Sequence, residues 1–175
     1  VDEATAWLNQ ARSDRTAGDR AADPEDTTTR CHALAKYQQA VEKAVKGLAA
    51  ALRLAGIGTV AAGWRHDAEP FVSYFVRLPR GEGAQRVQAP LRRLFDPPTR
   101  DGIRALDSLA PRRPPPGQPL RRNTEYPYHD GQGGWIYPAV EGAFSDAEVR
   151  RFRALAYRIV DGAGRMASAV RRGPK

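Results

Sequence analysis

Apolar and aromatic side chains recur every three or four residues at Leu34, Tyr37, Val41, Ala44, Val45, Leu48, Leu52 and Ala55, the spacing of one helix face. The period predicts a long helix over about 27–55, stopped by Gly56-Ile57-Gly58, because glycine enters the left-handed conformation at a helix C-terminus without strain. Between the apolar positions run Gln38, Gln39, Glu42, Lys43 and Lys46, with Glu42 four residues before Lys46 in the supportive order for a helix. This is the pattern of a core helix with a solvated back, which leaves Gln38 and Gln39 facing either water or a second copy. An earlier helix is expected over about 3–19, with Trp7, Leu8 and Ala11 inward and Asp23-Pro24-Glu25-Asp26 ending it. A third is expected after Asp67, which would cap it, with Pro70 tolerated in the first turn. Phe71, Val72, Tyr74, Phe75 and Val76 give this helix more apolar surface than one face needs, so it should be deeply packed.

From about 79 to 143 the pattern degrades. Short helices are expected over 87–95 and 103–109, kept short by Pro90, Pro97, Pro98 and Pro111, and Pro114-Pro115-Pro116-Gly117-Gln118-Pro119 reads as an extended connector. Order returns at Phe144: Ser145 and Glu148 make a capping box, Phe144 and Val149 its hydrophobic staple, and Phe152, Leu155, Ala156, Ile159, Val160 and Ala163 carry an apolar face to about Val170. The expected fold class is all-α, an antiparallel bundle of four to five helices forming a single domain over 1–175, with an irregular Pro/Arg-rich insertion.

The wording of the second helix, Tyr37-Gln38-Gln39-Ala40-Val41-Glu42-Lys43-Ala44-Val45-Lys46-Gly47-Leu48, resembles the second helix of HEPN domains, helical modules of toxin–antitoxin, defence and chaperone-linked proteins. The likeness extends to Ala6-Trp7-Leu8 upstream and to His66-Asp67 downstream. Near the end, Glu125-Tyr126-Pro127, the glycines after it and Ile136-Tyr137-Pro138 are similar to the sacsin-like branch. The resemblance implies a homodimer paired through the bundle, a nucleotide or RNA ligand, and an accessory place in a bacterial defence or stress system.

Charge changes the picture in one region. The chain carries a formal net charge of +8, which favours an anionic partner, and the segment from Arg77 to Arg122 holds eleven arginines against four carboxylates. A single cysteine, Cys31, excludes an internal disulfide, and with only three histidines no zinc site is expected, nor any other metal or cofactor. No apolar run approaches the roughly twenty residues needed to span a bilayer and no leader pattern opens the chain, so a cytoplasmic protein is expected. The chain opens on Val1 rather than Met, which also fits one domain of a longer polypeptide.

Two groups of residues carry candidate chemistry. HEPN ribonucleases resemble one another in an Arg-x(4–6)-His signature, and Arg122 and His129 stand at a permitted spacing. The chemistry implied is metal-independent attack of an RNA 2′-hydroxyl on the adjoining phosphate, with His129 moving the proton and Arg122 stabilising the phosphorane. Pro127 and the glycines at 131, 133 and 134 predict a loop there, where the nuclease signature sits on a helix. Alternatively the segment only binds: Arg112, Arg113, Arg121, Arg122 and Asn123 would hold phosphates while Tyr126, Tyr128, Trp135 and Tyr137 stack on bases. A third reading is an adaptor that docks a partner protein or neighbouring domain.

Overall fold

A computed structural model describes residues 1–58, 67–78, 81–111, 121–129, 132, 134–140 and 142–172. Six α-helices follow one another among them: α1 (Glu3–Ala21), α2 (Arg30–Leu54, entered through a 3-10 turn at Thr27–Thr29), α3 (Glu69–Val76), α4 (Glu82–Leu94), α5 (Pro97–Asp107) and α6 (Asp146–Arg171). Two short strands, β1 (Tyr128–His129) and β2 (Trp135–Ile136), pair antiparallel with Tyr128 opposite Ile136 and His129 opposite Trp135. The protein is thus mostly helical. No described helix is long and apolar enough to cross a membrane.

Polar contacts along α1 fix the directions of the three long helices. Glu3 pairs with Arg53, Asp14 with Lys43, and Tyr37 donates to Asp19, so α1 and α2 are antiparallel. Asp2 meets Arg171, Arg15 meets Asp161, and Arg153 and Tyr157 both reach Asp19, so α6 is antiparallel to α1 as well. It follows that α2 and α6 run the same way, and Arg30 at the start of α2 accordingly binds Asp146 and the Phe144 carbonyl at the start of α6. The segment between α2 and α6, which holds α3, α4 and α5, carries the chain back to the end where α2 begins. The shared core holds Leu34, Tyr37, Leu48, Leu52, Ile159 and Phe144, and Phe75 of α3 stacks on Phe95 beyond α4 at 5.6 Å.

Three of the five polar residues in the α2 stripe do not face water, while Gln39 and Lys43 stay partly exposed. Gln38, Glu42 and Lys46 are all buried, because α1 and α6 cover one side of α2 while α3 and α5 close over another. Lys46 Nζ donates to Glu42 Oε1 at 2.6 Å and lies 5.1 Å from the Trp7 ring centre. Gln38 hydrogen-bonds the Asp107 carboxylate at the end of α5. The stripe is a set of polar contacts within one chain, so Gln38 is turned inward rather than toward solvent or a second copy.

Three local expectations are corrected. Asp67 does not cap α3: Ala68 is the N-cap, and the backbone N–H groups of Ala68 and Glu69 donate to Asp107 Oδ2 at 2.9 and 3.0 Å. A carboxylate from a different helix thus completes the orphan donors of this N-terminus. The prolines at 97 and 98 start α5 instead of ending its predecessor, since the first helical turn has no partner for their missing N–H, and Asp96 caps the same turn through Thr99 N at 3.0 Å. Finally, α4 begins well before Val87 and runs through Pro90. The lost hydrogen bond is offset by the buried face of Ala84, Val87 and Leu91 that continues to Phe95. The capping box of α6 forms as expected, with Glu148 N donating to Ser145 Oγ and Ser145 N to Glu148 Oε2.

Candidate functional site

The segment 121–129 is a loop as far as Pro127, as its proline and the glycines after it predict, and then enters β1. Two-residue strands cannot hold a hairpin by themselves, and here the ribbon is docked on the helices by three devices. Asn123, buried, accepts from Glu125 N and Tyr126 N through Oδ1 and donates to the Arg121 carbonyl, which makes a closed turn. Thr124 N donates to the Leu109 carbonyl at 3.1 Å, tying the turn to the end of α5. Arg122 ties it to α6: its guanidinium donates to Glu148 Oε1 at 2.7 Å, Glu148 Oε2 at 3.1 Å and the Ala143 carbonyl at 2.5 Å, and lies 4.4 Å from the Phe144 ring centre.

The electrostatics match the geometry. The Arg122 hydrogen bond and the Ser145 donors hold the Glu148 carboxyl well below its usual range, at about 2. The same carboxylate pushes Arg122 up, with a smaller contribution from Tyr128. Fork-to-fork pairing of this kind is among the stronger polar contacts a side chain makes. It leaves the guanidinium facing protein acceptors.

The predicted site residues therefore separate. Arg112 and Arg113 lie outside the described residues. Arg121 is exposed, Arg122 is bound to Glu148, and Asn123 is committed to its turn. Tyr128 is buried, only 5% exposed, and is not presented for stacking. His129 is half-buried on β1 with its ring edge-on to Trp135 at 5.7 Å. By contrast Tyr126, Trp135 and Tyr137 are exposed at 52, 63 and 60%. They belong to the two strands and their flanks, so the hairpin presents three large aromatic side chains to water.

Two further features were not legible in the sequence. Asp107 is buried at the N-terminus of α3, and burial pushes its carboxyl up to about 6 against the opposing effect of its backbone donors. On the outer side of the α1–α6 contact, Arg12, Asp161, Gly164, Arg165, Ser168 and Arg172 line a groove of about 480 Å³. The only warning of it was the seven-residue interval between Arg165 and Arg172, which puts both on one side of a helix. Among the described residues no three His, Cys, Asp or Glu side chains converge to hold a metal ion, and burial pushes the Cys31 thiol up, away from a reactive thiolate.

Compared with protein-family models, curated proteins and solved structures, the chain matches none.

Proposed function

We propose that this chain is a HEPN-like helical module that binds single-stranded RNA, stacking bases on the hairpin aromatics rather than cleaving the strand through Arg122 and His129. One observation carries the reading: Tyr126, Trp135 and Tyr137 are each exposed, on the ribbon and its flanks, and the segment leading into the ribbon is braced to α5 and α6. Large aromatic rings held in water offer faces for planar ligands, and base stacking on such rings contributes about 1–3 kcal/mol per base. Arg121, exposed in the segment that leads into the ribbon, supplies a cation for the backbone. The commitment of Arg122 to Glu148 and Ala143 favours binding over catalysis, since stabilising a phosphorane would require those donors to be released. Pairing of two modules is the part of this reading that rests on the resemblance alone, and light scattering at tens of micromolar protein tests it.

The test is binding of a labelled single-stranded RNA at low salt in excess chelator. Wild-type protein should bind the oligomer and leave it intact on a denaturing gel. Trp135→Ala and Tyr137→Ala should each weaken binding about fivefold or more, the lower end of the stacking range. Chelator-resistant cleavage that His129→Ala abolishes would instead establish the nuclease. If RNA and mononucleotides both fail to bind, a protein-docking adaptor is what remains.

A further inference from the structure

The geometry points to a second ligand site, independent of the hairpin: the α1–α6 groove is a binding site for a ligand carrying two or more linked phosphates. Three arginines, Arg12 on α1, Arg165 on α6 and Arg172 at the α6 C-cap, line one groove of about 480 Å³ together with Ser168. Among the described residues none of the three has a carboxylate partner; Arg12 donates only to the neutral Asn9 Oδ1 at 3.0 Å. The single acid in the lining, Asp161, is already paired with Arg15 at 2.6 Å. The groove thus keeps a positive excess, whereas the arginines on either side of it, Arg158 and Arg171, are paired with Asp96 and Asp2.

Gly164 shapes the floor. A Cβ at this position would lie 3.1 Å from Arg12 Nη2, so the absence of a side chain is what lets the Arg12 guanidinium lie across α6. Arg165 and Arg172 stand two turns apart, about 10 Å along the axis, and Ser168 falls midway. That interval exceeds the reach of one phosphate and suits a pyrophosphate or longer chain, whose bridged oxyanions can meet both guanidiniums through paired N–H donors. The groove is open to water, with Arg12, Arg165, Ser168 and Arg172 all exposed, and so leaves room for a group attached to the phosphates.

The test uses pyrophosphate as the probe and calorimetry on the full chain, with inorganic sulfate at equal ionic strength as the reference. Wild-type protein should bind pyrophosphate in preference to sulfate. Arg165→Ala and Arg172→Ala should each lower the affinity about tenfold, the scale of one charge-assisted contact. Gly164→Ala should lower it severalfold while leaving the melting temperature unchanged or higher, because alanine is the better helix former and only a flexible guanidinium has to move. Trp135→Ala should leave it unchanged, which separates this site from RNA binding at the hairpin. Displacement of pyrophosphate by ATP but not by an RNA oligomer identifies a free polyphosphate ligand; displacement by both identifies the phosphates of a strand. Equal affinity for sulfate and pyrophosphate would overturn the site. So would a loss in Arg150→Ala, at the far end of α6, as large as that in Arg165→Ala, since binding would then follow net charge alone.

Discussion

Replacing Glu148 by Gln removes the charge that anchors Arg122 yet keeps an acceptor at the third position of the α6 capping box, where glutamine also serves. A carboxyl lowered from 4.5 to about 2 in the native state corresponds to about 3 kcal/mol favouring the charged form. The Arg122 and Glu148 side chains are 41 and 28% exposed, so screening by solvent reduces the expected contribution to about 1–2 kcal/mol. In a chain of this size that is a fall in melting temperature of about 3–6 °C. The sign follows from the direction of the shift. Stability from a depressed carboxyl is fully present above the unfolded value near 4.5, and it is lost as the pH falls through the native value near 2. Urea midpoints at pH 7 and pH 3, at constant ionic strength, should therefore show a clear deficit for Glu148→Gln at pH 7 that shrinks at pH 3. Because Glu148 also braces the hairpin through Arg122, the variant should weaken RNA binding, although the carboxylate is placed to touch protein and not ligand. An unchanged urea midpoint at pH 7, or the same deficit at both pH values, would refute the assignment of Arg122 as the hairpin brace.

Asp107 should act with the opposite sign: its carboxyl is raised from 3.8 to about 6, so its contribution is present below about pH 4 and is lost as the pH rises through 6, and Asp107→Asn should flatten urea stability across that window. Gly18→Ala and Gly47→Ala should each destabilise by about 1–3 kcal/mol in urea unfolding, despite the better helix propensity of alanine. The added Cβ would lie 2.6 Å from the buried Tyr37 ring in the first case and 2.8 Å from Leu8 Cγ in the second. Lys46→Met should separate the buried ion pair from packing: it leaves Glu42 charged inside the protein and should cost about 3 kcal/mol or more at pH 7 by the same assay, whereas Glu42→Gln Lys46→Met should recover part of the loss.

Helix periodicity located all three long helices because each has a continuous apolar stripe, and the α6 start was legible to the residue because Ser145 and Glu148 are close in sequence. What failed were features set by distant partners. Gln38, Glu42 and Lys46 have the spacing of a solvated stripe, and nothing local announces that α1 and α5 will cover them. Asp67 is a sound cap on local grounds but loses that place to Asp107, thirty-nine positions beyond Ala68 in the chain. The prolines are ambiguous for a related reason: Pro97 and Pro98 signal an end or a beginning equally well until Asp96 caps the turn they open. At the candidate site, residue type found the exposed Tyr126, Trp135 and Tyr137, but could not separate them from Tyr128, which is buried and hydrogen-bonded with Arg122.

Charge shows the same division between sequence and space, and here it bears on function. Helix α6 looks basic throughout, yet Arg150, Arg153, Arg158 and Arg171 meet Asp146, Asp19, Asp96 and Asp2. Each such exposed pair adds little to stability, about 0–1 kcal/mol, but it cancels the local field an approaching anion would feel. Arg122 is withdrawn from the basic stretch 77–122 in the same way, by Glu148. An anion is therefore drawn to where pairing is incomplete, not to where arginines are densest in the chain. Arg12, Arg165 and Arg172 come from opposite ends of the sequence, so no window of residues reveals them as a cluster, whereas antiparallel packing of α1 on α6 brings them to one groove. The division of labour that results is physical: the hairpin offers ring faces with one exposed arginine, suited to bases, and the groove offers three guanidiniums without rings, suited to phosphates.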